Sequence, residues 1–108
     1  MNSAKIVMVA TAVTGILALS SEAQAGASCN EHVTSIIVHS NGNVYFMTDQ
    51  TCSTSWCQVN WTTTDKAYAM LLTAQAQGKT IYFYWDTVSS CSSTNPVYAS
   101  PAYFSIGP

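Results

Sequence analysis

Apolar residues are distributed in two ways along the chain. From Ile6 to Leu19 they form one short unbroken run, preceded by Lys5 and followed by small residues ending Ala23-Gln24-Ala25. That order predicts a secretory signal peptide over residues 1–25, cut between Ala25 and Gly26. The run is shorter than the roughly 20 residues of a bilayer span, so no membrane span is expected. After Gly26 the pattern changes to short alternations and one helical stripe. Val33, Ile36, Ile37 and Val38 form a β-branched run, and Val44 to Thr48 forms a second. Asn41-Gly42 between them predicts a hairpin with a type I′ turn. Trp56 to Trp61 alternates as a third strand, and Ile81 to Asp86 is a strand by composition. Ala102 to Ile106 is a short last strand.

One helix stands out. Thr62-x-x-Asp65 is a capping-box variant, and Ala67 to Gln77 is rich in helix formers. Ala67, Met70, Leu71 and Ala74 share a stripe, with Tyr68 and Leu72 beside it. Gly78 suits the left-handed residue that ends a helix. The order β-β-β-α-β-β predicts a mostly β domain over residues 26–108. Its expected architecture is a five-stranded OB-like barrel with the helix between strands three and four.

Export makes the four cysteines informative. A chain of about 83 residues after the leader buries a modest core and benefits from staples. In an oxidising compartment Cys29, Cys52, Cys57 and Cys91 read as two disulfides, and four cysteines allow three pairings. The barrel arrangement favours one of them. Its first and fourth strands run antiparallel side by side, bringing Cys29 before strand one near Cys91 after strand four. Cys52 and Cys57 then close the loop between strands two and three.

Charge excludes some functions. The chain has no arginine, and after the leader only Lys66 and Lys79 face Glu31, Asp49, Asp65 and Asp86. Phosphate backbones and anionic membranes are bound by clustered Lys and Arg, so no nucleic acid partner is expected. His32 and His39 are seven residues apart around a strand and are expected on opposite faces, which argues against a metal site. No serine sits in a nucleophile-elbow setting. Asp49 and Asp86 lie at strand ends, where turn carboxylates are common, and no catalytic residue, metal or cofactor is assigned. Asn60-Trp61-Thr62 fits the N-glycosylation sequon. The Ala-rich leader has a bacterial character, which would make that sequon incidental.

Aromatic residues carry the functional expectation. Strand alternation sets Ile81, Phe83 and Trp85 on one face of the fourth strand and Tyr82, Tyr84 and Asp86 on the other. One set fills the core. The other meets a subunit, a covering element or a ligand. Tyr45 and Met47 share a face of the second strand and extend this patch in a suitable register. Tyrosine joins an apolar ring to a polar handle, which suits sugars and protein interfaces alike. Tyr45, Tyr82, Tyr84 and Asp86 are therefore the candidate ligand-binding residues, the rings stacking on sugar faces and Asp86 accepting hydroxyl hydrogen bonds.

The run from Asp65 to Tyr84, helix then Gly78-Lys79 then aromatic strand, resembles a segment of small secreted bacterial proteins. These are similar to the B subunits of subtilase-cytotoxin-like and pertussis-like toxins. The Asn41-Gly42-Asn43-Val44-Tyr45-Phe46 hairpin and Cys91 also fit that pattern. The resemblance implies an OB-type barrel without enzymatic activity, secreted or periplasmic, that binds a cell-surface glycan or glycoprotein. It further implies a homo-pentamer and a secreted A-type partner subunit. The competing expectation is a small secreted inhibitor or structural interaction domain that binds no sugar.

Overall fold

The computed structural model describes residues 26–107, so the expected leader over residues 1–25 lies outside the described part. Six strands and one helix are present there: β1 Ala27–Glu31, β2 Val33–Val38, β3 Val44–Thr48, β4 Cys57–Val59, α1 Thr64–Gln77, β5 Ile81–Trp85 and β6 Tyr103–Ile106. They form two antiparallel three-stranded sheets, in the orders β1-β5-β6 and β2-β3-β4. A closed barrel is not formed among the described residues. The two sheets share one stretch of chain, since only His32 separates β1 from β2.

The sixth strand is β1, which the sequence pattern does not predict. Its burial alternates strictly, with Ala27, Cys29 and Glu31 inward and Ser28 and Asn30 outward. A buried carboxylate at the third inward position breaks the apolar alternation that marks a half-buried strand. Strand β1 pairs along its whole length with β5, Cys29 opposite Phe83. Cys29 thus lies within a strand, whereas it was expected ahead of one.

Closure fails at β4. This strand spans only Cys57–Val59, shorter than the expected Trp56–Trp61. Its outer hydrogen bonds are taken by a loop: the Tyr98 amide donates to the Trp56 carbonyl at 2.6 Å and the Gln58 amide to the Ala99 carbonyl at 2.8 Å. Pro96 and Pro101 bracket that loop, and proline cannot donate to a ladder, which limits pairing there. The last strand therefore starts only at Tyr103.

Two turn expectations are also corrected. Of the described non-glycine residues only Tyr98 has positive φ, so Asn41 does not form half of a type I′ turn. The Gly42 amide donates to the His39 carbonyl and the His39 amide to the Asn43 carbonyl, each at 3.0 Å. With Gly42 at φ 92°, this is a type I turn followed by a glycine bulge, the three-residue hairpin solution. The helix starts at Thr64 with Thr63 as N-cap and no side-chain cap. Thr62 does not cap it, and the Thr64 hydroxyl instead donates to the Trp61 carbonyl at 2.6 Å. The other end follows expectation. Gly78 is left-handed at φ 65°, its amide donates to Gln75, and the Lys79 amide donates to Ala74. That pair of bonds is a Schellman motif.

The core forms where the sheets face each other. Phe46 of β3 stacks on Phe83 of β5 at 5.5 Å, and Phe83 stacks on Trp85 at 5.3 Å. Ile81, Phe83 and Trp85 are all fully buried, as the alternation of β5 predicts. Ala67, Leu71 and Ala74 are the buried positions of the helix, with Met70 half-buried, while Leu72 is exposed. The disulfides are Cys29–Cys91 and Cys52–Cys57, the pairing favoured by the strand arrangement.

Glu31 sits in this core with no exposed surface. Its carboxylate accepts from the Thr48 hydroxyl on β3, from the Thr51 amide at 2.8 Å and from the Trp85 indole N–H at 2.9 Å. The Thr51 hydroxyl lies within 3.0 Å of both carboxylate oxygens and accepts from the Asn95 amide group at 2.9 Å. One side chain of β1 thereby joins both sheets to the loop that covers β4. A buried carboxylate is tolerated where its oxygens are saturated with donors, and here they are.

Candidate functional site

Strand register builds one aromatic surface on the outside of the β1-β5-β6 sheet. Ser28, Tyr84 and Tyr103 lie side by side across its three strands, and Asn30, Tyr82 and Ser105 form the next row. Tyr84 and Tyr103 stack with centroids 5.4 Å apart and planes inclined by only 12°. Tyr82 is 42% exposed and Tyr103 55%. Beside Tyr82 lies a depression of about 610 Å³, lined also by Asn30, Lys79, Thr80 and Ser105. The Schellman turn at Gly78 delivers Lys79 and Thr80 to its rim. Its wall thus offers one aromatic ring, one ammonium, one amide and two hydroxyls.

Thr80 is tied to a second group. Its hydroxyl lies 3.3 Å from His32 Nε2, and His32 Nδ1 lies 3.0 Å from Asp49 Oδ2. The His32 amide donates to Asp49 Oδ1 at 2.9 Å and the Asp49 amide returns a bond to the His32 carbonyl. Burial opposes ionisation of Asp49. The His32 amide and ring outweigh it and hold the carboxyl below its ordinary value. Asp49 therefore fixes the bend between β1 and β2. Asp49 follows the end of β3, where the sequence places it, and His32 is its unforeseen partner.

Tyr45 goes elsewhere. It belongs to the β2-β3-β4 sheet, opposite Ile37, and does not line the depression beside Tyr82. It lines a smaller hollow of about 220 Å³ with Ile37, His39, Trp56 and Tyr98. Tyr45 and Tyr98 lie 5.4 Å apart and inclined by 56°, and His39 meets Tyr45 edge-on at 5.9 Å. The phenol oxygen accepts from the side-chain amides of Asn41 at 3.1 Å and Asn43 at 3.4 Å. Those donors, Asn41 foremost, lower the pKa of Tyr45 below that of an ordinary tyrosine.

The four predicted contact residues thus separate. Tyr82 and Tyr84 share the outer sheet face, as their spacing predicts. Asp86 follows the end of β5, is exposed, and lines neither depression. Tyr103, Asn30 and Lys79 were not among the candidates. Tyr103 pairs with Tyr84 through a strand register that the sequence alone does not fix, and Asn30 belongs to the unpredicted strand. Tyr98 and Trp56 were missed because a loop, held by backbone hydrogen bonds, brings them together.

No group of three metal-ligating side chains converges among the described residues, and no described helix is long and apolar enough to cross a membrane. Both disulfides fit an oxidising compartment. Comparison with known proteins adds no relative: no family model, curated protein or solved structure matches the chain.

Proposed function

We propose that this is a secreted or periplasmic, non-enzymatic binding module that recognises a cell-surface glycan through the tyrosine face of the β1-β5-β6 sheet. One observation carries the reading: of the three tyrosines on the outer sheet face, Tyr82 lines a depression with Asn30, Thr80 and Ser105 and a single charged side chain, Lys79. Sugars present apolar ring faces and many hydroxyls, and such a surface complements both. Tyr82 stacks on the sugar ring. Asn30, Thr80 and Ser105 exchange hydrogen bonds with hydroxyls, and Lys79 supplies the single charge. Tyr84 and Tyr103 extend the platform for a second residue of the glycan.

The order of elements and the likeness of Asp65–Tyr84 to toxin B subunits support an OB-type arrangement. They also support a homo-pentamer that delivers an A-type partner. Light scattering of the oxidised protein tests the assembly: five copies agree with it, and a monomer removes it. A glycan array tests the binding. The reading expects a sugar ligand that Tyr82→Ala loses, and an array without any hit would overturn it.

A second reading rests on the Asp49–His32–Thr80 chain, which has the atom order of orienter, base and nucleophile. In that reading the sugar is an O-acyl sugar. The Thr80 hydroxyl bonds to the acyl carbon while its proton passes to His32 Nε2. The sugar alcohol then leaves with that proton, and water releases the acid from Thr80. Turnover of an O-acetylated sugar that stops in Thr80→Val would favour it over binding alone.

A further inference from the structure

The hollow at Tyr45 is a second built site, on a different sheet from the tyrosine face and independent of it. Its backbone is held in a costly state. Tyr98 has φ 64°, a left-handed conformation rare for a bulky aromatic residue. Such strain is costly and concentrates at functional sites. The loop around it is fixed at both ends. Asn95 is buried, its amide donates to the Thr51 carbonyl at 2.7 Å, and Ala99 accepts from Gln58. The Tyr98 amide donates to Trp56 between these anchors. The result is a Tyr98 side chain, 54% exposed, packed 5.4 Å from the Tyr45 ring at the wall of the hollow.

The chemistry of the lining narrows the ligand. Three electron-rich rings, Tyr45, Trp56 and Tyr98, surround one space with the aliphatic side chain of Ile37. Two polar atoms of the lining, the Tyr45 oxygen and His39 Nδ1, already have hydrogen-bond partners. The Asn41 and Asn43 amide groups donate to the Tyr45 oxygen, Asn41 Oδ1 accepts from the Asn43 amide, and His39 Nδ1 accepts from the Asn41 amide. Three of the five lining residues are aromatic carbocycles or indole, and none is a carboxylate, amide or ammonium. A cation with no hydrogen-bond donors needs only ring quadrupoles. Among the described residues no lysine or arginine lines the hollow. The chain has no arginine, Lys79 lines the other depression, and Lys66 lies on the helix.

We infer that the Tyr45–Trp56–Tyr98 hollow binds a quaternary ammonium group. Its methyl groups pack on the rings and Ile37, and its charge is stabilised by the ring faces rather than by a carboxylate. A hollow of about 220 Å³ accommodates a trimethylammonium head with its first linking atoms. Choline head groups and trimethylated lysine both carry this chemistry.

The test is NMR titration of the oxidised protein with choline chloride, against sodium chloride and the uncharged isostere 3,3-dimethylbutan-1-ol. Choline is expected to give saturable shifts at Tyr45, Trp56 and Tyr98. The isostere is expected to bind about tenfold more weakly. Tyr98→Gly removes the ring and relieves the left-handed strain, so it keeps the fold and loses about tenfold in choline affinity. Tyr98→Phe keeps the ring and retains binding. Parallel titrations with phosphocholine and an Nε-trimethyllysine peptide then identify the source, the tighter of the two naming it. Equal binding of choline and its isostere overturns the inference, because a merely apolar hollow would do that. So do choline shifts confined to other residues, or no saturable shift at all.

Discussion

Tyr82 and Tyr45 are both strand tyrosines with outward rings, yet the molecule surrounds them differently. Tyr82 stands on a broad sheet face beside hydroxyls, an amide and an ammonium, next to a depression of about 610 Å³. Tyr45 stands in a hollow about a third as large, its oxygen engaged by two asparagines and its ring opposed by a strained Tyr98. The first surface offers hydroxyls, an amide and an ammonium to a ligand, and the second offers mainly aromatic rings. Ring type alone therefore does not assign a ligand. The groups around the ring distinguish the two surfaces, and they set the proposed glycan surface apart from the proposed organic-cation site.

Glu31 is where the two surfaces depend on one another, and its removal should have the largest effect. Glu31→Ala leaves the Trp85 indole, the Thr51 amide and the Thr48 hydroxyl without their acceptor in a closed core. Each such orphan costs about 1–3 kcal/mol, so denaturant unfolding should show a loss of at least about 3 kcal/mol. Both surfaces should weaken together. Retained wild-type stability would remove Glu31 from its place as the joint between the sheets.

The disulfides separate the surfaces. Cys29–Cys91 closes 62 residues and pins the tyrosine sheet, whereas Cys52–Cys57 closes only five beside β4. Chain-entropy arithmetic puts these at about 4 and about 2 kcal/mol. Paired serine replacements should reproduce that order in urea midpoints, and a reversed order would mean that native packing outweighs loop length. Smaller still is the exchange of rings. Tyr82→Ala should lose sugar binding by about tenfold and leave choline binding intact, while Tyr98→Gly should do the reverse.

The smallest effect is that of pH. Asp49 has a lowered folded pKa, so its contribution is complete above the unfolded carboxyl value of about 3.9 and is lost as pH falls through the lower folded value. The pair with His32 is half-exposed, which keeps the effect small. Asp49→Asn should lower the plateau near neutral pH slightly and flatten the acid limb of the stability profile. An unchanged acid limb would show that the pair contributes nothing measurable.

The sequence was most informative where local chemistry decides. The buried alternation of Ile81, Phe83 and Trp85, the helix with its Gly78 stop, and the hairpin at Gly42 all follow from short-range pattern. Cysteine pairing followed once the first and fourth strands were set side by side. Strand β1 escaped because Glu31 looks like a surface residue, and only its donors from β3, β5 and Thr51 make it an inward one. The barrel failed to close because the Pro96–Pro101 loop takes the outer hydrogen bonds of β4. Tyr45 was grouped with Tyr82 because sequence gives the face of a strand but not its sheet. Tyr103, Asn30 and Tyr98 became visible only through cross-strand register and loop anchoring.

The central claim is that the outer face of the β1-β5-β6 sheet recognises a glycan. The most direct measurement is a glycan array probed with three forms of the oxidised protein: wild type, Tyr82→Ala and Tyr98→Gly. The account predicts a defined set of sugars bound by the wild type, retained by Tyr98→Gly and lost by Tyr82→Ala. No bound sugar, or one whose binding survives Tyr82→Ala, would contradict it.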